Sequence, residues 1–417
     1  MAKKRHLIVG SGAAGLSALR QIRSVSGEDE IRVVTLEDSL PYSPTALPYL
    51  LYGKIEPPKL WTADRDLFLQ LRAELVLGRK LIQVIPEEKV AVFEGGNREE
   101  FDTLLIATGS EPLQPSIKGM APGEALVFHT LRDLQALDRS LEDRKESEVL
   151  IYGGGLVAMG VGQALIRRGI RVKVVVRSRV LRRYFDLEAG TLIDGVFSSQ
   201  GAEIIVGSEI DRVEKSGNKV NVHMGNGRVI TGDLLINALG TTPRISFLER
   251  SGIVIDAGIL VDQKMRTNKE HIYAAGDVAV AKDFFSHTPG ANAILPSAVE
   301  QGKIAGSNMA GADLEYEGWI SMNVFHFFGK GAYSIGVLEG NNGAEVLKDG
   351  GKEKGYYTKL AFREGRLSGA AFVNVDVDPG VILYLIKNRL DIGKYKNHLL
   401  QKPGQISRWL MARNERE

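Results

Sequence analysis

Residues 5–22 read RHLIVGSGAAGLSALRQI. A short β-branched run meets a glycine turn, and Leu16, Leu19 and Ile22 follow at helical spacing, so the stretch reads as strand, turn and helix. The turn sets Gly10, Gly12 and Gly15 in a GxGxxG pattern, with Ser11, Ala13 and Ala14 between them. The first glycine permits a tight turn, the second lets a pyrophosphate approach the backbone, and the third lets helix pack on strand, with the phosphates at the helix N-terminus. Such turns are common by themselves. Here a second strand, IRVVTLED, runs out at Glu37 and Asp38, and Glu37 stands 22 residues past Gly15. That is the spacing at which a carboxylate accepts hydrogen bonds from a ribose 2′-hydroxyl. The alternative is an ordinary strand-to-helix turn followed by an exposed acid.

The plan recurs. Residues 149–158, VLIYGGGLVA, again end a strand and open a helix, with Gly153, Gly155 and Ala158 in a GxGxxA pattern that includes Leu156 and Val157. Each half closes on a similar phrase, FDTLLIATGSEP at 101–112 with Ala107, Thr108 and Gly109, and GDLLINALGTTP at 232–243 with Gly240. Two such modules in one chain suggest two nucleotides meeting face to face. A third element, TNKEHIYAAGDVA at 267–279, puts Asp277 directly after Gly276. An aspartate there is placed either to accept from a ribityl hydroxyl or simply to cap a helix.

Composition bounds the chemistry. At 417 residues the chain has material for two or three domains. It carries 47 glycines, above the usual share of about 7%, with only 14 prolines, so the excess fits close backbone approach rather than disorder. There is no cysteine. Thiolate zinc sites, cysteine nucleophiles, disulfide scaffolds and a cysteine-ligated iron–sulfur cluster held by this chain are therefore excluded, and redox chemistry must ride on a bound cofactor. With 53 Lys plus Arg against 51 Asp plus Glu, the net charge of +2 gives no global attraction to nucleic acid or anionic membrane. The start MAKKRHLIVG has no signal-peptide apolar region, so a cytoplasmic chain is expected. The uncharged run from Val149 to Ile166 approaches a membrane span in length, but its five glycines mark a buried strand, a turn and a helix start.

Taken together, GSGAAG with Glu37, LLIATG, GGGLVA, INALG, YAAGD and LPSAVEQGKIAGSNMAG resemble the FAD-dependent pyridine nucleotide-disulfide oxidoreductase family along nearly the whole chain. The resemblance implies an α/β chain of two Rossmann-like dinucleotide-binding domains, the second inserted in the first, plus a C-terminal α+β domain. The FAD-binding domain would take residues 1–115 and 250–314, the NAD(P)-binding domain 116–249, and a C-terminal interface domain 315–417. Carried over, the turn from Gly10 to Gly15 would face the FAD pyrophosphate and Glu37 the adenosine ribose, with Asp38 beside it also counted among the cofactor-binding residues. Ala107, Thr108 and Gly109 would lie along the FAD, Asp277 would meet its ribityl chain, and the helix opening at Pro296, Ser297 and Ala298 would point at the isoalloxazine. Gly153, Gly155, Leu156, Val157, Ala158 and Gly240 would hold NAD(P).

The departures bear on function. PYSPTALPYLL at 41–51 resembles the PYSRCALPY-type segment of coenzyme A disulfide reductases, with Thr45 in the place of the reactive cysteine and Pro44 in that of the arginine. Threonine cannot relay electrons, so the chain resembles the cysteine-free branch of NADH-dependent ferredoxin and rubredoxin reductases. That branch includes FAD subunits linking iron–sulfur oxidoreductases, such as phenylglyoxylate dehydrogenase or tungsten aldehyde oxidoreductase, to NAD. In the second module Gly160 replaces a frequent glutamate, and the place of the ribose-binding acid falls on Val176, followed by Arg177 and Arg179. The segment VRSRVLRRYFD also resembles the NADPH segment of glutathione reductases, with Arg177 and Arg183 in matching places. The arginines lean toward NADP and the resembled complexes toward NAD; NAD is the expected coenzyme, with NADP use and a solvated-loop reading of these arginines as the alternatives.

The function so implied is hydride transfer between nicotinamide C4 and flavin N5, with electrons exchanged with an iron–sulfur protein, in a homodimer or hetero-oligomeric complex. It assigns no catalytic acid–base pair and no metal site. The other readings are a self-sufficient NAD(P)H oxidase or quinone reductase, and a non-catalytic FAD scaffold. Toward the C-terminus, residues 319–337 and 356–373 read as hairpins, and ILYLIKNRL and ISRWLMARNERE as helices. His326, among three phenylalanines, is either a packed residue or one near the flavin or a redox partner, and Trp409 either packs on its own domain or caps a subunit contact.

Overall fold

Arg5–Val9 lies at the centre of a five-stranded parallel sheet with the order Ile272–Ala274, Thr103–Ile106, Arg5–Val9, Glu30–Val34, Ala73–Val76. The computed structural model describes residues 3–121, 123–142, 147–207, 209–338 and 343–415. Leu7, Ile8 and Val9 are all buried, which is why this strand is an unbroken apolar run rather than an alternating one. The helix Ala13–Val25 buries Leu16, Leu19 and Ile22, the spacing that predicted it.

The second module repeats the first bond for bond. Its parallel sheet has the order Ala202–Val206, Arg171–Val176, Glu148–Tyr152, Leu234–Asn237. The Gly10 N–H donates to the Val34 carbonyl at 2.8 Å, and the Gly153 N–H to the Val175 carbonyl at 2.9 Å. Ala107 donates to Val9, and Ala238 to Tyr152, each at 2.8 Å. The two closing phrases thus become equivalent strands beside equivalent first strands, and the α/β Rossmann-type architecture expected from the repeat is present.

Packing divides the chain into two units. One comprises Met1–Ser43, Glu56–Glu111 and Thr241–Ile320, and the other Pro44–Ile55, Pro112–Gly240 and Ser321–Glu417. In the second unit the C-terminal residues form an antiparallel sheet of Met322–Phe327, Lys330–Gly336, Arg366–Val373, Tyr356–Arg363 and Glu345–Gly351, followed by helices Pro379–Lys387, Lys396–Gln401 and Pro403–Asn414. Both hairpins turn where a left-handed residue precedes a left-handed glycine, Phe328–Gly329 and Glu364–Gly365. Strand alternation sends Phe325 and Phe327 inward, where they stack on Phe197 of the helix Leu187–Ser199 at ring separations of 6.2 and 6.0 Å. Asp186, which caps that helix, also accepts from the Tyr357 hydroxyl at 2.6 Å and Lys359 Nζ at 3.2 Å. These contacts are the physical reason that residues from Ser321 onward group with the inserted module. Among the described residues no helix is long and apolar enough to cross a membrane.

Candidate dinucleotide sites

The three glycines of the first turn differ in what surrounds them. Gly10 has φ +116°, and a Cβ there would stand 2.0 Å from the Ala107 carbonyl oxygen. At Gly15 a Cβ would stand 1.9 Å from the Gly10 carbonyl oxygen. At Gly12 nothing lies within 4 Å, and this residue, the helix N-cap, brings no side chain to bond the first-turn N–H groups. Two glycines are therefore compelled by packing, while the middle one leaves a helix N-terminus open to an external acceptor, the arrangement that suits a phosphate.

Other expected elements of the first unit converge on this turn. A Cβ on Gly302 or Gly306 of the helix Leu295–Met309 would fall 2.2 Å from the Ala14 or 2.5 Å from the Ala18 carbonyl oxygen, so the two helices cross backbone to backbone. That crossing brings in Gly276, which is left-handed, would place a Cβ 3.2 Å from that of Ala14, and donates its N–H to the buried Gln301 at 2.8 Å. Next to it, Asp277 accepts from the Ser110 hydroxyl at 3.0 Å. Thr108 donates its hydroxyl to the Arg244 carbonyl at 2.9 Å, and Gly109 is left-handed with open space where a side chain would be. Pro296 is exposed in the first turn of its helix, while Ser297 and Ala298 are buried and Ser297 accepts from Asn292 at 3.0 Å. Glu37 lies beyond the strand Glu30–Val34, where both carboxylate oxygens accept from the Tyr42 hydroxyl at 2.9 and 3.0 Å, and Asp38 is exposed beside it. Tyr42 in turn meets Trp61 edge-on. The tyrosine holds the carboxylate in place, a contact that the acid's spacing gave no sign of.

The second unit shows the same logic. Gly153 has φ +125° and would push a Cβ to 2.2 Å from the Ala238 carbonyl oxygen, whereas Gly155, the N-cap of Leu156–Arg167, has nothing within 4 Å and no side-chain cap. Ala158 is fully buried, Leu156 is half-buried, and Val157 is exposed at the helix start. Gly240 is left-handed and its carbonyl accepts from the Leu113 N–H at 3.0 Å. Gly160, where a glutamate was the expected alternative, would put a Cβ 3.3 Å from Pro48 Cγ. The helix Leu47–Leu51 thus covers that position. Thr45 and Pro44 are exposed on the turn that leads into this helix.

Register shifts one assignment. Because Val34 corresponds to Val175 through the glycine bonds, the counterpart of Glu37 is Ser178, between Arg177 and Arg179, and not Val176. Val176 is buried, its Cγ1 pressed toward Gly154. The second module connects its first two strands with two fewer residues, which a reading by strand ends alone does not detect. Arg177 is exposed and pairs with Glu209 at 3.0 Å, and Arg183 is exposed. His326 is exposed opposite its inward-facing phenylalanine neighbours, with its ring by Tyr333.

A family model for pyridine nucleotide-disulphide oxidoreductases matches residues 4–302. The chain belongs to that family. As a pyridine nucleotide-disulphide oxidoreductase it is an enzyme that binds FAD and NAD(P)H, and both open glycine turns have the form such nucleotides need. It is 35% identical over 416 residues to the NADH-dependent phenylglyoxylate dehydrogenase subunit epsilon of Aromatoleum evansii, covering 99% of this chain and 98% of the relative. It is 25% identical over 395 residues to the NADH-rubredoxin oxidoreductase of Clostridium acetobutylicum, covering 94% of this chain and 96% of that one. The reductase of a covalent putidaredoxin reductase–putidaredoxin complex shares the fold with a TM-score of 0.86 at 22% identity, over 94% of each chain. This pyridine nucleotide-disulphide oxidoreductase has no cysteine from which to build the disulphide of the family's name.

Proposed function

We propose that this cytoplasmic chain is the flavoprotein subunit of a larger redox complex, exchanging hydride with NAD(P)H and single electrons with an iron–sulfur partner. The observation that carries this reading is the empty thiol inventory: no residue of the sequence is cysteine, and Thr45 stands where the relay cysteine would be. An electron path through an internal disulfide has no atoms to run on, so electrons entering the flavin must leave the chain directly. When bound, FAD supplies the chemistry that joins a two-electron donor to a one-electron acceptor.

The residues of the chain act by binding and alignment. In this reading the open first turns at Gly12 and Gly155 take the two pyrophosphates, Glu37 takes the adenosine ribose, and Asp277, oriented by Ser110, takes the ribityl chain. Pro296, Ser297 and Ala298 lie in the first turn of the helix Leu295–Met309, whose N-terminus would face the flavin ring with FAD bound. Hydride transfer needs no side-chain proton donor, in keeping with a site built from glycines, alanines and two held carboxylates, Glu37 and Asp277. The near full-length similarity to a dehydrogenase subunit and to a rubredoxin reductase supports the partner class and the setting in a complex.

The test is isolation of the endogenous protein under anaerobic, non-denaturing conditions followed by native mass measurement and iron analysis. Co-purifying iron–sulfur subunits are the expected result. A free homodimer that turns over rapidly with oxygen or a quinone alone would instead make it a self-sufficient oxidase or quinone reductase.

A further inference from the structure

The second unit contains a charged contact larger than its local role requires. Asp186 caps the helix Leu187–Ser199, and for that one carboxylate oxygen suffices: Oδ1 accepts from the Ala189 N–H at 3.2 Å. The other oxygen, Oδ2, accepts from the Tyr357 hydroxyl at 2.6 Å and from Lys359 Nζ at 3.2 Å, and Lys348 Nζ stands 3.5 Å away. Tyr357 and Lys359 come from the C-terminal strand Tyr356–Arg363, where Tyr357 is buried and the Lys359 side chain is only 11% exposed. An ammonium so deep in a fold needs a charged partner. Burial pushes the Asp186 pKa up, yet Tyr357, Ala189 and Lys359 together hold it below the usual carboxylate value, so the partner is an anion.

The same aspartate closes the loop that lies on the second glycine turn. Its main-chain carbonyl accepts from Arg179 Nη1 at 3.2 Å, and Arg179 Nη2 donates to the Arg182 carbonyl at 3.3 Å. Leu181, with φ +51°, donates its N–H to the Gly154 carbonyl at 2.7 Å, and Tyr184 and Phe185 donate to Leu181 at 2.9 and 3.1 Å. A Cβ on Gly154 would stand 3.3 Å from Val180 Cα, so loop and turn touch backbone to backbone. The helix Leu156–Arg167, which leaves the turn, meets the same C-terminal sheet. Its buried Gln163 accepts from the Phe328 N–H at 2.8 Å and donates to the His326 carbonyl at 3.4 Å, and the Arg167 guanidinium lies 5.5 Å from the centre of the Phe328 ring. One sheet therefore grips both the helix and the loop between which the turn opens.

We propose that Asp186, Tyr357 and Lys359 form a polar latch through which the C-terminal sheet positions the loop on the second glycine turn, which makes them positioning residues for the nicotinamide nucleotide. The inference rests on the reading of that turn as the NAD(P) site. The three side chains act through the loop, and none of them has to touch the nucleotide. A loop held in its binding position all of the time gives the site its full affinity, whereas one held there part of the time weakens binding by that fraction. Both bonds of the latch end on a carboxylate oxygen that the helix cap does not use, so the latch can be opened with the cap and the turn left in place.

Asp186→Asn separates the two roles, because asparagine caps a helix as well as aspartate does while its amide nitrogen turns a donor toward Tyr357 and Lys359. Calorimetric titration of the oxidised, FAD-loaded protein with NAD+ reads binding without turnover. Asp186→Asn and Lys359→Met should each weaken NAD+ binding roughly tenfold with FAD content unchanged, and Tyr357→Phe should weaken it severalfold. Lys359→Arg, which keeps the charge, should restore most of the affinity. In the nucleotide-free protein, hydrogen exchange should be faster at the Leu181, Tyr184 and Phe185 amides of Asp186→Asn and unchanged at Leu16 and Leu19 of the first module. A lower melting temperature with NAD+ affinity unchanged would make the contact purely structural and overturn the proposal, as would loop amides that exchange no faster. Wild-type protein that binds no NAD+ would overturn the reading of the turn, and the exchange rates would still decide whether the latch holds the loop.

Discussion

Replacing Gly12 and Gly15 one at a time by alanine separates the two roles that a GxGxxG turn combines. At Gly15 the new methyl would sit 1.9 Å from the Gly10 carbonyl oxygen and 3.3 Å from Ile8 Cγ2, both parts of the buried strand-to-helix junction. Alanine gains about 1 kcal/mol over glycine inside a helix, but a 1.9 Å contact with backbone forces the helix off the strand, and overpacking of this kind costs about 1–3 kcal/mol or more. Because the clash is with backbone, which cannot swing away, the cost lies at the upper end, and Gly15→Ala is expected to lower the stability of the apoprotein by about 2 kcal/mol or more net. At Gly12 the backbone is extended, with φ −72° and ψ −169°, and nothing stands within 4 Å of the new methyl. The apoprotein should lose less than about 1 kcal/mol, the difference between glycine and alanine as an N-cap. The same methyl occupies the space through which a phosphate would reach the first-turn N–H groups. Loss of one charge-assisted hydrogen bond is worth about 1.5–3 kcal/mol, or roughly ten- to a hundredfold in FAD affinity. Thermal unfolding of the deflavinated protein, followed by calorimetric titration with FAD, reads both quantities. The reasoning fails if Gly12→Ala destabilises the apoprotein as much as Gly15→Ala does, or if it retains wild-type FAD affinity.

Four further outcomes follow from the same geometry. Gly155→Ala should weaken nicotinamide nucleotide binding roughly tenfold or more and leave FAD content intact, as checked by titration of the flavin-loaded protein. Asp277→Asn, which alters the acceptor of the Ser110 hydroxyl, should lower FAD affinity with little change in the apoprotein melting temperature. Phe197→Ala removes a fully buried ring stacked on Phe325 and Phe327 and should cost about 3–5 kcal/mol by denaturant titration. His6 is buried between Thr103 and Asp29, and burial lowers its pKa from 6.5 despite the raising effect of Asp29. The unfolded chain then takes up this proton first, so stability is full above about pH 6.5 and falls as the pH drops below it toward the lowered folded-state value. His6→Gln should flatten that part of the melting profile.

Much of this architecture is written locally. The strand, turn and helix at 5–22 and their repeat at 149–166 are set by periodicity and by glycines whose neighbours lie within the same module, so one window of sequence contains the cause. The hairpins at Phe328–Gly329 and Glu364–Gly365 were legible for the same reason. What stayed hidden is nonlocal. The Gly302–Ala14 and Gly306–Ala18 crossing joins residues nearly 290 positions apart, although the glycine-rich phrase that permits it was visible. The equivalence of Glu37 with Ser178 depends on hydrogen-bond register, because the second connection is two residues shorter. Asp186 carries no motif at all and gains meaning only from Tyr357 and Lys359, 171 and 173 positions away. Gly160 read as a missing glutamate, whereas in the fold Pro48 covers the position.

Anaerobic stopped-flow mixing of the FAD-loaded protein with NADPH or NADH, in the presence of an oxidised iron–sulfur acceptor, tests the central claim most directly. The flavin absorbance band should bleach on mixing and recover as the acceptor is reduced, with no dependence on added thiol or disulfide and little oxygen turnover when air is admitted. Absence of bleaching with both nucleotides, or bleaching whose electrons reach only a disulfide or oxygen, would contradict the account.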